Sequence, residues 1–144
     1  MAPIYAGTPH RYPMLLIDSC TERFPGRVRF LKLISANEMF LMRWKDTEPF
    51  LPSTLLVDAL GQVATLLLRE HAAESSAVWY LGGIDAMTFH ATIPAGSVVQ
   101  MDALILKRWK STARIEVKAS IGDQLVARGL MILSQGGSAR DARQ

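Results

Sequence analysis

Asp58 carries the single formal charge in the apolar stretch from Leu55 to Leu68, and Gln62 follows it one helical turn later on the same face. Burying a carboxylate without a partner is costly, so one kept in such surroundings points to acid–base work, with Gln62 as its support. The plain alternative is an acid near a helix N-terminus, stabilised by the helix dipole. The other groups able to do chemistry are scattered. His10 lies in a turn-like N-terminal segment and reads as a hydrogen-bonded positioning residue. His71 sits among Arg69 and Glu70 at a helix end, and His90 follows Phe89 on a strand, so both read as solvated. No pair has metal-ligand spacing. Cys20 is the one cysteine, which rules out an intrachain disulfide and a Cys-based metal site. Neither a metal nor a cofactor is expected.

The elements that must position Asp58 follow from the pattern. A helix begins near Ser53 or Thr54, just after Pro52, and runs to about Ala73. Leucines, valines and alanines surround its first four turns, which predicts a buried helix. Before it, residues 21–24 and 27–33 flank Pro25-Gly26 and read as a hairpin. Met14 to Ile17 is a short apolar run, and Ser35 to Pro52 is irregular. After the helix come strands: Val78 through Gly83 towards Phe89, Val98 to Leu106, Thr112 to Ile121 and Leu125 to Leu133. Residues 113, 115, 117, 119 and 121 are apolar and alternate with polar ones, the period of a strand with one buried face. One apolar helix swallowed by an antiparallel sheet of five to six strands is an α+β architecture. It spans residues 1–134, with 135–144 as a flexible tail. Such a sheet leaves an exposed edge, which pairing into a dimer would cover.

Length and charge bound the rest. The 144 residues suffice for one core. Hydrophobic residues at 49% and charged ones at 20% argue against disorder. The formal charge of +3 is too weak and too dispersed for a nucleic-acid stripe, and suits an acidic partner. Lys107, Arg108 and Lys110 around Trp109 could meet such a partner or simply solvate a turn. The N-terminus lacks a secretory pattern, and the apolar stretch is too short and too interrupted to span a membrane, so a cytoplasmic protein is expected.

The segment Pro9-His10-Arg11-Tyr12-Pro13-Met14-Leu15-Leu16-Ile17-Asp18 resembles the PHRYP-x-LL-V/I-D motif of bacterial 3-hydroxyacyl-ACP dehydratases. Asn37-Glu38-x-Phe40 resembles that family's NEPFF. Pro49-x-x-Pro52-x-x-Leu55-x-x-Asp58-Ala59-x-x-Gln62 resembles its P-x-x-PG-x-L-x-x-EA-x-AQ helix entry. Gly83-Ile84-Asp85, Phe89 and Gly96 resemble its GID…F…PGD stretch. The resemblance implies a hotdog fold, a dimer, and substrates held as thioesters on acyl carrier protein. It also implies a site in which a GHFP histidine meets a carboxylate from the other protomer's central helix, dividing proton removal and hydroxyl protonation.

The departure is sharp. Counted without gaps from Phe40 to Asp58, GHFP falls on Arg43-Trp44-Lys45-Asp46, and Trp44 stands 14 positions before Asp58, where the histidine belongs. An indole N–H donates a hydrogen bond but exchanges no proton near neutral pH. The family's PG glycine is Ser53, whose backbone N–H at the helix start could still hold a thioester carbonyl. Asp58, Ser53 and Gln62 are thus the expected catalytic set, and Trp44, Phe40 and Phe89 the expected substrate contacts. Four readings stay open: a dehydratase-like protein whose own activity is lost or weak; a thioesterase using Asp58 and the Ser53 N–H; a subunit that lends Asp58 to a histidine-bearing partner; and a dehydratase using another acid such as His10. The expected partners are acyl carrier protein or acyl-CoA, and a second copy or a related dehydratase.

Overall fold

The computed structural model of the chain describes residues 8–70 and 78–136. The elements are β1 (Ser19–Phe24), β2 (Arg27–Leu33), β3 (Phe50–Leu51), α1 (Ser53–Glu70), β4 (Val78–Phe89), β5 (Ile93–Pro94), β6 (Val98–Arg108), β7 (Thr112–Ile121) and β8 (Gln124–Gly136). Six of the strands form one antiparallel sheet in the order β1-β2-β6-β7-β8-β4, and β3 pairs with β5. Three hairpins join neighbouring strands of the sheet, β1–β2, β6–β7 and β7–β8. Gly26 turns β1 into β2 and Gly122 turns β7 into β8, both at positive φ (74° and 58°), where a Cβ would be strained.

Period-two patterning puts Ala113, Ile115, Val117 and Ala119 of β7 fully inside, with Arg114 exposed opposite them. Against this face lies α1, burying Leu56, Ala59, Leu60, Val63, Ala64, Leu67 and Leu68 over Phe30, Met101, Ile115 and Met131. Each large side chain so buried stabilises the fold by about 1.5–3 kcal/mol.

The helix is not enclosed by the sheet all the way round, as its composition had predicted. Val57, Asp58, Gly61, Thr65 and Arg69 recur every three or four residues and form a half-open stripe. Beside that stripe the cover is the N-terminal segment, where Leu16 and Ile17 enter the core without forming a strand. The apolar circumference of α1 thus has two covers, sheet and segment, and a third side that the chain leaves half open.

The outer face of the sheet carries paired ions among exposed apolar residues such as Leu104 and Ile132. Arg29 donates to Asp102 (2.6 and 3.0 Å) and to Glu22 (3.3 Å); the Asp102 hydrogen bonds hold the guanidinium pKa above its ordinary value. Burial pushes the Glu116 carboxyl up, but hydrogen bonds and charge from Arg128 and Lys118 outweigh it and hold the group below its usual range. At the sheet's far edge β4 is bulged, with Ala86 at φ 53° and a register shift between Asp85 and Thr88. Gly129 of β8 faces this bulge: a Cβ there would sit 2.8 Å from the Met87 Cα.

Strand β8 continues through Gln135 and Gly136, where a tail had been expected; Gln135 N–H donates to Ser111 C=O (2.7 Å). His71, the expected helix end near Ala73 and residues 137–144 lie outside the described residues. No helix among the described residues is long and apolar enough to cross a membrane.

Candidate functional site

The site is built where the irregular segment meets the start of α1. Met42 and Phe50 exchange both backbone hydrogen bonds at 2.9 Å and close a stem under residues 43–49. At its tip Trp44 C=O accepts from both the N–H and the hydroxyl of Thr47 (each 2.8 Å), and the Trp44 indole is 66% exposed. From Phe50 the chain runs through β3 into the helix, whose first turn is set by Pro52 C=O accepting from Leu55 and Leu56 N–H (3.0 and 3.2 Å). Ser53 is the first helical residue, so its N–H belongs to the group at an N-terminus that has no partner within the helix.

Asp58 lies about 7.5 Å further along the axis at 1.5 Å per residue. It is half-buried on the open stripe, and Gln62 Nε2 donates to its Oδ2 at 3.3 Å. Gln62 itself is 1% exposed and does more than support Asp58. Its Oε1 accepts the Leu16 N–H (2.9 Å), and its Nε2 also donates to Met14 C=O (2.7 Å). One amide therefore fastens the N-terminal segment across α1 and orients the carboxylate one turn away. Sequence reasoning found the pair Asp58–Gln62 but missed this clamp, because nothing local links residues 46 or more positions apart.

Gln62→Leu keeps the volume and leaves the Leu16 N–H and the Met14 C=O without their partner. At about 1–3 kcal/mol for each buried group left unpaired, chemical denaturation should show a loss of roughly 2–6 kcal/mol. A midpoint equal to the native one would mean that the clamp is dispensable.

The other candidates lie on separate elements. Phe40 is half-buried and lines a groove of about 390 Å³ with Tyr12, Met39, Asp18, Lys32 and Glu38, a groove whose lining does not include Asp58. Phe89 is exposed at the end of β4, opposite Ala127. His10 Nδ1 is 2.6 Å from the Thr8 hydroxyl, and His90 is exposed with its N–H on Val126 C=O. At the β6–β7 turn, Lys107 lies over the Trp109 ring (4.8 Å) and Arg108 over Trp79 (5.4 Å). Among the described residues no group of three or more His, Cys, Asp or Glu could hold a metal ion. Within one chain, then, Asp58, Gln62 and Ser53 share one helix, while Trp44 stands out on the loop that precedes it.

Comparison with known proteins places the fold in a family. Residues 8–129 match the model of the FabA-like domain. The chain is 32% identical over 122 residues to the 3-hydroxyacyl-[acyl-carrier-protein] dehydratase FabZ of Natranaerobius thermophilus, covering 84% of this chain and 86% of that protein. It is 34% identical over 122 residues to the FabZ of Ruminiclostridium cellulolyticum, with the same shares covered. Among solved structures it superposes on a chain of the dehydratase heterocomplex ApeI:P from Xenorhabdus doucetiae with a TM-score of 0.82 at 18% identity, covering 99% of this chain and 97% of that one. A hypothetical thioesterase protein with coenzyme A from Streptococcus pneumoniae gives 0.66 at 9% identity, covering 83% and 86%. With a six-stranded antiparallel sheet packed on one central helix, the chain belongs to the FabA-like family of hotdog proteins that includes the bacterial 3-hydroxyacyl-acyl-carrier-protein dehydratases.

Proposed function

We propose that this protein binds and processes acyl thioesters, carried by acyl carrier protein or coenzyme A, in fatty-acid or polyketide metabolism, and that its own dehydratase activity is lost or weak. One observation carries the reading: a carboxylate, Asp58, held by a buried amide on the half-open stripe of α1; the family resemblance adds an indole, Trp44, where the motif carries its proton-transferring imidazole. The Ser53 N–H at the helix start is the group that would polarise the thioester carbonyl. Trp44, Phe40 and Phe89 are the residues proposed to meet the acyl chain.

A second reading is favoured by a specific observation. The neighbour with a TM-score of 0.82 comes from a dehydratase heterocomplex. This chain leaves β4 at the sheet's edge with Tyr80, Leu81, Ile84 and Phe89 exposed, and keeps one side of α1 half open. Edge strands of this kind are covered by pairing. A chain that supplies Asp58 and lacks the histidine fits a partner that supplies the histidine, so we place this protein in a pair, either with its own copy or with a related dehydratase.

The test is one coupled assay of the purified protein, free of contaminating dehydratase, with 3-hydroxyacyl and saturated acyl thioesters. Alone, the protein should form enoyl product at a rate ~10²–10⁴-fold below that of a histidine-bearing relative, the usual worth of a positioned proton-transfer group. Addition of a histidine-bearing dehydratase chain should raise the turnover per site. Robust enoyl formation by the protein alone, unchanged in Trp44→Phe, would overturn the reading. Light scattering that gives a monomer mass at micromolar concentration, both for the protein alone and for its mixture with a histidine-bearing dehydratase chain, would overturn the pairing.

A further inference from the structure

Lys32 breaks the inward pattern of β2. Val28, Phe30 and Ile34 on the same side are buried core residues, yet between them stands a lysine only 6% exposed. A charge so placed is costly unless it is paired. Its Nζ donates to Glu38 Oε1 at 2.9 Å. Glu38 in turn is fixed by its own backbone: its N–H donates to Ser35 C=O (3.2 Å), and its C=O accepts the Leu41 N–H (3.5 Å).

The pair sits at a mechanically informative place. The loop that carries Trp44 hangs from the Met42–Phe50 stem, and the stem has two legs. The leg after Phe50 is anchored through β3 to β5 and through Pro52 to the start of α1, the helix that bears Asp58. The leg before Met42 leaves the sheet at Ile34, whose N–H and C=O bond Ser97 and Gly96 (2.9 and 2.7 Å). Between Ile34 and the stem, the Lys32–Glu38 contact ties this leg back to the sheet. Buried ion pairs replaced by apolar residues of similar volume often leave stability unchanged or raise it. Stability therefore does not explain such a pair, whereas its directionality does, since an apolar contact at the same place would hold the leg without fixing it.

Resting on the function proposed above, we propose that Lys32 and Glu38 are positioning residues that set where the Trp44 loop stands relative to Asp58. They act by holding one leg of the loop while α1 holds the other, so that both halves of a paired site meet in register.

The test uses the full chain labelled with 5-fluorotryptophan. Its three tryptophans give three ¹⁹F resonances, with that of Trp44 identified by its loss in Trp44→Phe. In the double variant Lys32→Met/Glu38→Met the thermal midpoint should stay at or above the native value, while the Trp44 resonance shifts or broadens and those of Trp79 and Trp109 hold. Turnover with a histidine-bearing partner should fall in kcat rather than rise in KM, by about 10²-fold if the displacement is on the order of 1 Å. Lys32→Arg, which keeps the charged contact, should restore both readouts. If the double variant does not fold, Glu38→Gln is read in the same way. An unmoved Trp44 resonance in the folded variant overturns the proposal. A displaced resonance in a protein that shows no thioester turnover, alone or with a partner, upholds the positioning role and overturns the functional reading on which it was built.

Discussion

Asp58→Asn is expected to lower acyl-thioester turnover by ~10²–10⁴-fold while leaving the fold intact. The amide matches the carboxylate in shape, and its oxygen still accepts from Gln62 Nε2, so the clamp on Met14 and Leu16 is undisturbed. What is lost is the group able to take up or deliver a proton. The competing explanation, that Asp58 merely complements the helix dipole, predicts a different pair of results: unchanged turnover and a stability loss below the ~0.3–1 kcal/mol of a first-turn acid, since Asp58 lies beyond the first turn. Measuring kcat/KM and the urea midpoint on the same preparations separates the two. The assay must include the histidine-bearing partner as well as the chain alone, since the carboxylate can serve a site completed by either. Turnover within experimental error of the native protein in both settings would return Asp58 to the role of a helix-terminal acid.

The reverse substitution is expected to show the largest gain. Trp44→His should raise enoyl formation from 3-hydroxyacyl-ACP by the chain alone by about 10²-fold or more, because it replaces a group that only donates by one that titrates near neutral pH. The local geometry favours a clean exchange. The turn at the loop tip is made by the Trp44 backbone with Thr47, and the indole is mostly exposed, so neither the turn nor the core depends on it. The smaller ring should also admit longer acyl chains, so a series of chain lengths should show the native protein favouring short ones and the variant relaxing that preference. A folded Trp44→His protein with no gain, and no change in chain-length preference, would show that the loop does not face Asp58 of either protomer.

The architecture was legible in the sequence because its signals are local. Pro25-Gly26 and Gly122-Asp123 mark hairpins through backbone conformation alone, and the alternation along residues 112–121 marks a half-buried strand. The apolar turns after Pro52 mark a helix that has to be buried. Asp58 stood out for the same reason: a charge inside an apolar run is visible without coordinates, as was the tryptophan at the expected histidine position. What eluded the sequence depends on contacts between distant segments. The two-residue strands β3 and β5 are too short to show a period, and they exist because Phe50–Leu51 and Ile93–Pro94 meet in space.

The role of Gln62 was only half visible. Its spacing from Asp58 belongs to the helix, but its stronger hydrogen bonds reach Met14 and Leu16, which only the packed chain brings alongside. Lys32 gives the plainest case. In the sequence it is a polar interruption of an imperfect strand pattern; in the structure it is a largely buried lysine whose partner lies in a turn that carries no regular structure. Composition and periodicity determined which faces are apolar, since each residue's polarity and spacing are its own properties. Which polar groups meet inside was decided by tertiary structure, because a buried donor is satisfied only by an acceptor at hydrogen-bonding distance, and that distance is set by the packing of every element around it.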